Sequence, residues 1–220
     1  MALNAYELAD KAAEINRRGV EISLRAAGAR AHVFASIGPS GKMLMAGEVS
    51  EEELRLAFAE QATALAAAGA AAIVIETMAE LEEAELALEA AKTTGLPTVA
   101  CAVFDSGPRH DRTMMGATPE QVAERLTAAG ADVVGANCGQ GIAGYVEICR
   151  RMRSATRLPL WMKANAGIPE IEHGEVVYRT NPDQFASHAV ALREAGAQFI
   201  GGCCGTGPEY IAALCRELRT

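Results

Sequence analysis

The sequence predicts an α/β protein built on a parallel β-sheet, and two features support this. Short, nearly all-apolar strands alternate with helices along the chain, as in sheets buried on both faces. Four predicted helices end in Ala-Gly before the next strand, and glycine there adopts the left-handed conformation that stops a helix. The four pairs are Ala27-Gly28, Ala68-Gly69, Ala129-Gly130 and Ala195-Gly196. Repeated strand–helix units predict a parallel sheet, either open or closed into a barrel.

The predicted elements follow one another in regular order. The chain opens with a helix over about residues 6–27. Six strands, rather than eight, are predicted at about residues 33–37, 72–75, 98–104, 132–136, 160–163 and 197–200. Further helices are predicted at about residues 50–68, 81–92, 119–129, 145–154, 182–195 and 208–218. Thr118-Pro119 and Asn181-Pro182 are predicted helix starts, because each joins an N-cap side chain to a proline. No break in composition divides the chain, so residues 1–220 are predicted to form one domain.

The composition is that of a globular protein with one sizeable core. Half of the 220 residues are apolar and 22% are charged. A formal net charge of −8 argues against binding to nucleic acid or to a membrane surface. No apolar run approaches the roughly 20 residues that span a bilayer, and no signal peptide is visible. We therefore expect a cytoplasmic protein whose six cysteines stay reduced.

Three cysteines occupy matching places in the predicted fold. Cys203 and Cys204 follow the last strand, and Cys138 follows the strand at about residues 132–136. The carboxyl ends of parallel strands share one edge, where active sites form in such folds. Three thiols make a soft site that suits zinc and leaves one coordination position open, as in catalytic zinc sites. A vicinal redox pair at Cys203 and Cys204 is the alternative, although it gives Cys138 no role.

The other three cysteines are predicted to be small buried side chains with no chemical role. These are Cys101, Cys149 and Cys215. Two polar residues instead follow apolar strands at the same edge as the cysteine motifs, namely Glu76 and Asn165. Glu76 is expected to point into the strand-end cavity, and the alternative is an acidic residue favoured at a helix N-terminus. For Asn165 the alternative is a turn asparagine.

Several motifs together resemble one enzyme family. The segments 135–138 (Gly-Ala-Asn-Cys), 164–167 (Ala-Asn-Ala-Gly) and 201–206 (Gly-Gly-Cys-Cys-Gly-Thr) are similar to those of the homocysteine S-methyltransferase family. That family includes the homocysteine-binding domain of cobalamin-dependent methionine synthase and the betaine–homocysteine methyltransferases. Segments 36–39 and 75–78 resemble it too, in the same order, so the resemblance covers almost the whole chain.

The resemblance implies a fold, a cofactor and a reaction. The fold would be a (β/α)8 TIM barrel, and one zinc would be held by Cys138, Cys203 and Cys204. The reaction would be methyl transfer to the thiol of homocysteine, a step of methionine biosynthesis. Glu76 would bind the substrate ammonium, and Asn165 would belong to the substrate site. The methyl donor stays open among a corrinoid, a folate and betaine, each of which needs residues or domains outside this sequence.

The sequence also departs from the family pattern. The first two strands of the family barrel, with their Asp-Gly and Thr-Asn-Thr-Phe loops, are not found, so the predicted barrel is N-terminally incomplete with about six βα units. We expect a partner chain or homodimerisation to cover the open edges, because proteins avoid exposed strand edges. A shortened form of a longer sequence is the third possibility. A non-catalytic or subunit-dependent zinc-binding remnant of such a methyltransferase is the alternative function, and a thiol redox protein is the third.

Overall fold

A computed structural model of the protein describes residues 1–219, and its main feature is a parallel β-sheet. The strands are β1 (Phe34–Ile37), β2 (Ala72–Met78), β3 (Thr98–Ala102), β4 (Val133–Gly141), β5 (Leu160–Asn165), β6 (Glu170–Glu172), β7 (Glu175–Val177) and β8 (Ala197–Gly202). Six of them form one sheet in the order β1-β2-β3-β4-β5-β8, and every pairing in it is parallel. The predicted α/β class and the six βα units are therefore confirmed.

Helices connect the strands and cover one face of the sheet. They are α1 (Ala12–Ala27), α2 (Glu51–Ala67), α3 (Leu81–Lys92), α4 (Pro119–Ala128), α5 (Ile142–Ala155), α6 (Pro182–Ala186), α7 (Ala189–Glu194) and α8 (Pro208–Leu218). The predicted first helix starts later than expected, because two short 3-10 turns precede α1. The helix predicted at 182–195 is divided into α6 and α7, and the Ser187 hydroxyl bonds the Gln184 carbonyl at the break.

The predicted helix ends are present. Thr118 and Asn181 each form a capping box, in which the cap side chain and the side chain three residues later bond each other's backbone N–H groups. Ser50 does the same at the start of α2. The glycines of the four Ala-Gly pairs all have positive φ, as the stop signal requires. Local sequence therefore sets where most of these helices begin and end.

The sheet curves, and its two faces are different. Leu160, Met162 and Ala164 of β5 are buried in the core that the helices cover. On the other face of β5, Trp161 stacks on Phe34 of β1 and Phe199 of β8, with ring centroids 5.8 Å and 5.1 Å apart. Because three strands separate β1 from β5 in the sheet, this contact requires the sheet to bend round on itself, as in a barrel.

Strands β2 and β4 continue beyond their predicted ends. Each contains a register shift, between Ile75 and Met78 in β2 and between Cys138 and Gly141 in β4. Thr77 and Cys138 have φ values of 63° and 62°, in a region that non-glycine residues rarely occupy. Such bulges redirect side chains and are common beside active sites. Both of these lie at the strand ends where the predicted site residues fall.

The remaining features concern the edges of the structure. β6 and β7 form a small antiparallel hairpin that the sequence did not predict. Within residues 1–219, β1 and β8 are the two edges of the large sheet and do not pair with each other.

None of the described helices combines the length and the apolar character that crossing a membrane requires.

Candidate functional site

The three predicted cysteines meet at the carboxyl ends of their strands. Cys138 lies in β4, and Cys203 and Cys204 directly follow β8. The Sγ of Cys204 is 3.8 Å from that of Cys138 and 4.0 Å from that of Cys203, and all three lie within 4.8 Å of one another. A tetrahedral metal with metal–sulfur bonds of about 2.3 Å separates its sulfurs by about 3.8 Å. The three-cysteine cluster therefore has the dimensions of a metal site.

Backbone contacts fix the two loops that carry the thiols. The buried Tyr145 donates its hydroxyl hydrogen to the Cys138 carbonyl at 2.7 Å. The Cys203 N–H donates to the Ala164 carbonyl at 2.8 Å, and the Thr206 hydroxyl donates to the Cys203 carbonyl at 2.7 Å. The thiols are thus held by strand and loop hydrogen bonds that do not depend on a metal.

The glycines beside the cysteines allow close packing between loops. A Cβ on Gly139 would lie 2.5 Å from the Phe104 carbonyl oxygen, and one on Gly202 would lie 2.2 Å from the Thr206 hydroxyl oxygen. The structure shows that these two glycines make room for neighbouring parts of the protein.

Asn165 joins the two cysteine loops. Its side-chain oxygen accepts a hydrogen bond from the Cys204 N–H at 3.0 Å, and its Nδ2 donates to the Gly139 carbonyl at 3.1 Å. The residue is buried, with both polar atoms used by backbone groups. Its substrate-binding role stays a prediction, and the structure adds a positioning role for the cysteines.

Asn137 connects the cluster to β2. The fully buried amide accepts from the Thr77 N–H and donates to the Thr77 hydroxyl, both at 2.7 Å. Its Nδ2 also lies 3.8 Å from the Cys203 Sγ. Thr77 follows Glu76, so this amide places the end of β2 beside the thiols.

Two thiols of the cluster, those of Cys138 and Cys203, have shifted pKa values. The neighbouring Cys203 thiol lowers the pKa of Cys138 to about 7, and the Cys138 thiol, together with burial, raises the pKa of Cys203. Three other cysteines were predicted to be buried, and Cys101 and Cys149 are. Burial raises the pKa of both thiols. The prediction that Cys215 is buried is wrong, because this residue lies exposed on α8.

Glu76 lies beside the cluster, in an ion pair that the sequence did not predict. One carboxylate oxygen accepts from Lys163 Nζ at 2.7 Å and the other from the Ser36 hydroxyl at 2.5 Å. The side chains of Glu76 and Lys163 are 19% and 22% exposed. Burial lowers the pKa of Lys163, but the hydrogen bond and charge of Glu76 outweigh it and leave the pKa raised. One signal did exist in the sequence, a lysine within an otherwise apolar strand.

Tyr178 directly follows the β6–β7 hairpin. Like Lys163, it was not predicted from the sequence to belong to the site. A Cβ on Gly205 would lie 2.3 Å from the Tyr178 ring, so glycine there lets the ring pack against the loop that follows Cys204. Burial, with the nearby Cys204 sulfur, raises the pKa of the Tyr178 hydroxyl. The hairpin therefore places an aromatic ring against one side of the cluster.

A curved parallel sheet with three thiols at its strand ends defines a barrel-type α/β protein with a candidate metal–thiolate centre. Residues 1–218 match the family model for homocysteine S-methyltransferase. The chain belongs to this family.

Known relatives are longer than this chain. Methionine synthase of Mycobacterium leprae (strain TN) is 28% identical over 219 residues, which cover 95% of this chain and 18% of that protein. Betaine–homocysteine S-methyltransferase 1 of Danio rerio is 30% identical over 213 residues, covering 83% of this chain and 51% of that protein. The chain thus spans about half the length of the second relative and less than a fifth of the first.

Solved structures support the barrel-like fold. The apo form of the homocysteine methyltransferase MmuM from Escherichia coli has a TM-score of 0.76 at 23% identity, covering 94% of this chain and 75% of that one. The metallated form of MmuM has a TM-score of 0.68 at 25% identity, covering 93% of this chain and 67% of that one.

The bridging role of Asn165 gives a testable prediction. Asn165→Ala should lower affinity for a divalent metal by about tenfold, because residues that orient metal ligands typically contribute that much. The measurement is competition with a chromogenic chelator. Asn16→Ala is the matched control, since Asn16 bonds Ala12 and Gln61 within the helical layer. Equal metal affinity in the two variants would show that the bridge does not position the thiols.

Proposed function

We propose that this protein transfers a methyl group to the thiol of homocysteine, giving methionine, and that Cys138, Cys203 and Cys204 hold the zinc this requires. The observation that carries the proposal is the convergence of three thiols, within 4.8 Å of one another, in a chain of the homocysteine S-methyltransferase family. The spacing suits tetrahedral zinc with three protein ligands, an arrangement that leaves one position for a substrate.

Zinc is proposed because all three ligands are soft thiols and their separations match its bond lengths. When bound, zinc supplies the Lewis acidity that keeps a coordinated thiol deprotonated at neutral pH. A free alkyl thiol has a pKa near 8.5, so little of it would otherwise be nucleophilic thiolate. Reduced thiols are also what a cytoplasmic location would preserve.

The residues of the chain bind and orient the substrate. Glu76 takes the substrate ammonium, since its carboxylate lies beside the cluster on β2, and Asn165 holds the cysteine loops at the substrate's sulfur end. The thiolate sulfur attacks the methyl carbon of the donor in line. The new bond is S–CH3, and the donor's leaving group departs with the electrons of the broken bond. Residues 1–220 are proposed to form a single, partial homocysteine-binding barrel domain.

Substrate binding tests the proposal. Zinc-loaded protein should bind homocysteine in calorimetry and release the thiol proton, whereas Cys203→Ala should lose both the zinc and the binding. Cys215→Ala is the control, because Cys215 is exposed on α8, outside the cluster. Zinc retention in Cys203→Ala equal to that in Cys215→Ala would contradict the metal site. If the zinc-loaded wild-type protein does not bind homocysteine at millimolar concentration, the proposed methyl transfer is contradicted and a zinc-binding remnant is favoured.

We also propose that another chain covers the open edges of the sheet. Within residues 1–219, β1 and β8 have no strand partner on one side, and exposed parallel edges are a liability in proteins. Phe34 and Phe199 at these edges are 38% and 40% exposed. Trp161, stacked between them, has a buried indole nitrogen without a hydrogen-bond partner among the described residues. The covering chain is either a second copy of this one or a different chain that supplies βα units.

Solution mass tests the proposed assembly. Sedimentation analysis of the purified protein should show a dimer, or a complex when the protein is isolated with its native partner. Phe199→Asp should weaken this association, because it puts a charge at the edge to be covered. Ile171→Asp, on the exposed hairpin strand β6, is the control. A stable, monodisperse monomer under both conditions of isolation would contradict the proposal.

A further inference from the structure

Lys163 lies on the strand between the two cysteine-bearing strands. It is in register with Asn137 of β4 and with Gly201 of β8. The residue after Asn137 is Cys138, and Cys203 comes two residues after Gly201. Lys163 therefore lies directly below the three-cysteine cluster, on the sheet face that Trp161 also occupies.

The hydrogen-bonding capacity of Lys163 is only partly used. An ammonium group has three N–H donors. Among residues 1–219, Nζ makes one hydrogen bond, to Glu76. The carboxylate of Glu76, by contrast, is bonded through both oxygens, to Lys163 and to Ser36. The pair is thus a neutral unit with unused donors on its cationic side.

There is space beside the ammonium group. The register neighbour Gly201 has no side chain, and a Cβ there would only touch the Lys163 stem at 3.4 Å. Lys163 also lines a cavity of about 560 Å³ that runs along the β8 edge to Ile211 and Leu218 of α8, and neither Glu76 nor the three cysteines line it. The Lys163 side chain is therefore open to space at the β8 edge.

We infer that Lys163 binds the α-carboxylate of the amino-acid substrate while Glu76 binds its α-ammonium, so that the Glu76–Lys163 pair opens to hold the zwitterion. This inference rests on the proposed function. In it, Lys163 is the residue that distinguishes a thiol carrying an α-amino acid group from a thiol without a carboxylate. Lys163 is a substrate-binding residue in this account, and its ammonium keeps its proton throughout.

Charge balance supports this assignment. The ammonium and carboxylate groups of the zwitterion are attached to the same carbon. When the zwitterion enters between Glu76 and Lys163, two ion pairs replace one, so no charge is left unpaired in a partly buried site. The three thiolates and a divalent metal sum to one negative charge, and a substrate thiolate adds another. A substrate carboxylate beside them would be repelled without a nearby cation. Lys163 is the cation that the structure places below the cluster.

A purely structural role for Lys163 makes a different prediction. In that case Lys163 would only hold Glu76 in place for the substrate ammonium. Its loss would then weaken every ligand with an amino group, whether or not the ligand has a carboxylate. The two roles are therefore separated by a pair of ligands that differ in the carboxylate alone.

The experiment compares homocysteine with 3-aminopropane-1-thiol, which is homocysteine without its carboxylate. Calorimetry on the zinc-loaded protein should give wild type at least about tenfold tighter binding of homocysteine, the usual effect of a charged hydrogen bond. Lys163→Met should bind homocysteine at least about tenfold more weakly and the aminothiol within about twofold of wild type. Lys163→Arg should restore most of the preference, because it keeps the charge.

Three results would overturn the inference. One is equal affinity of wild type for the two thiols, which needs no variant and decides the matter even if Lys163→Met fails to fold. Another is equal weakening of both ligands in Lys163→Met, and the third is no weakening of either. If wild type binds neither thiol, the proposed function itself fails and this inference fails with it.

Discussion

The pairing of β5 with β4 on one side and β8 on the other is the interaction on which the candidate site depends. Cys138 is in register with Ala164, and Ala164 is in register with Gly202. Neighbouring strands lie about 4.8 Å apart, so β4 and β8 are separated by about twice that distance. The thiols can meet only because both loops turn towards each other above β5. The left-handed conformation of Cys138 and the Asn165 bridge hold that turn.

The same geometry organises the charges of the site. The strand ends carry the thiols, the next layer carries Glu76 and Lys163, and aromatic rings stack below them. Asn137 links the thiol and carboxylate layers through Thr77 and approaches the Cys203 sulfur. A polar layer thus lies between the three thiols and a layer of aromatic rings. The proposed substrate, an amino acid with a thiol side chain, carries groups that match these layers in the same order.

Local sequence signals predicted most of the fold and the thiol cluster. Alternating apolar strands, N-cap prolines and Ala-Gly helix ends are short-range features, and they place the strands and most helix ends correctly. The Glu76–Lys163 pair joins residues 87 positions apart and depends on sheet curvature, which no local pattern encodes. The bulges at Thr77 and Cys138 were missed for a related reason, since they depend on how β2 and β4 pair with their neighbours. Cys215 was misread because residue type alone does not say which face of α8 is exposed.

The central claim is that three cysteines hold a zinc whose remaining position accepts the substrate sulfur. Zinc-edge X-ray absorption on the zinc-loaded protein, before and after addition of homocysteine, tests it most directly. The claim predicts three sulfur ligands and one lighter ligand before addition, and four sulfurs afterwards. A first shell that stays at three sulfurs with saturating homocysteine, or that begins with fewer than three, would contradict it.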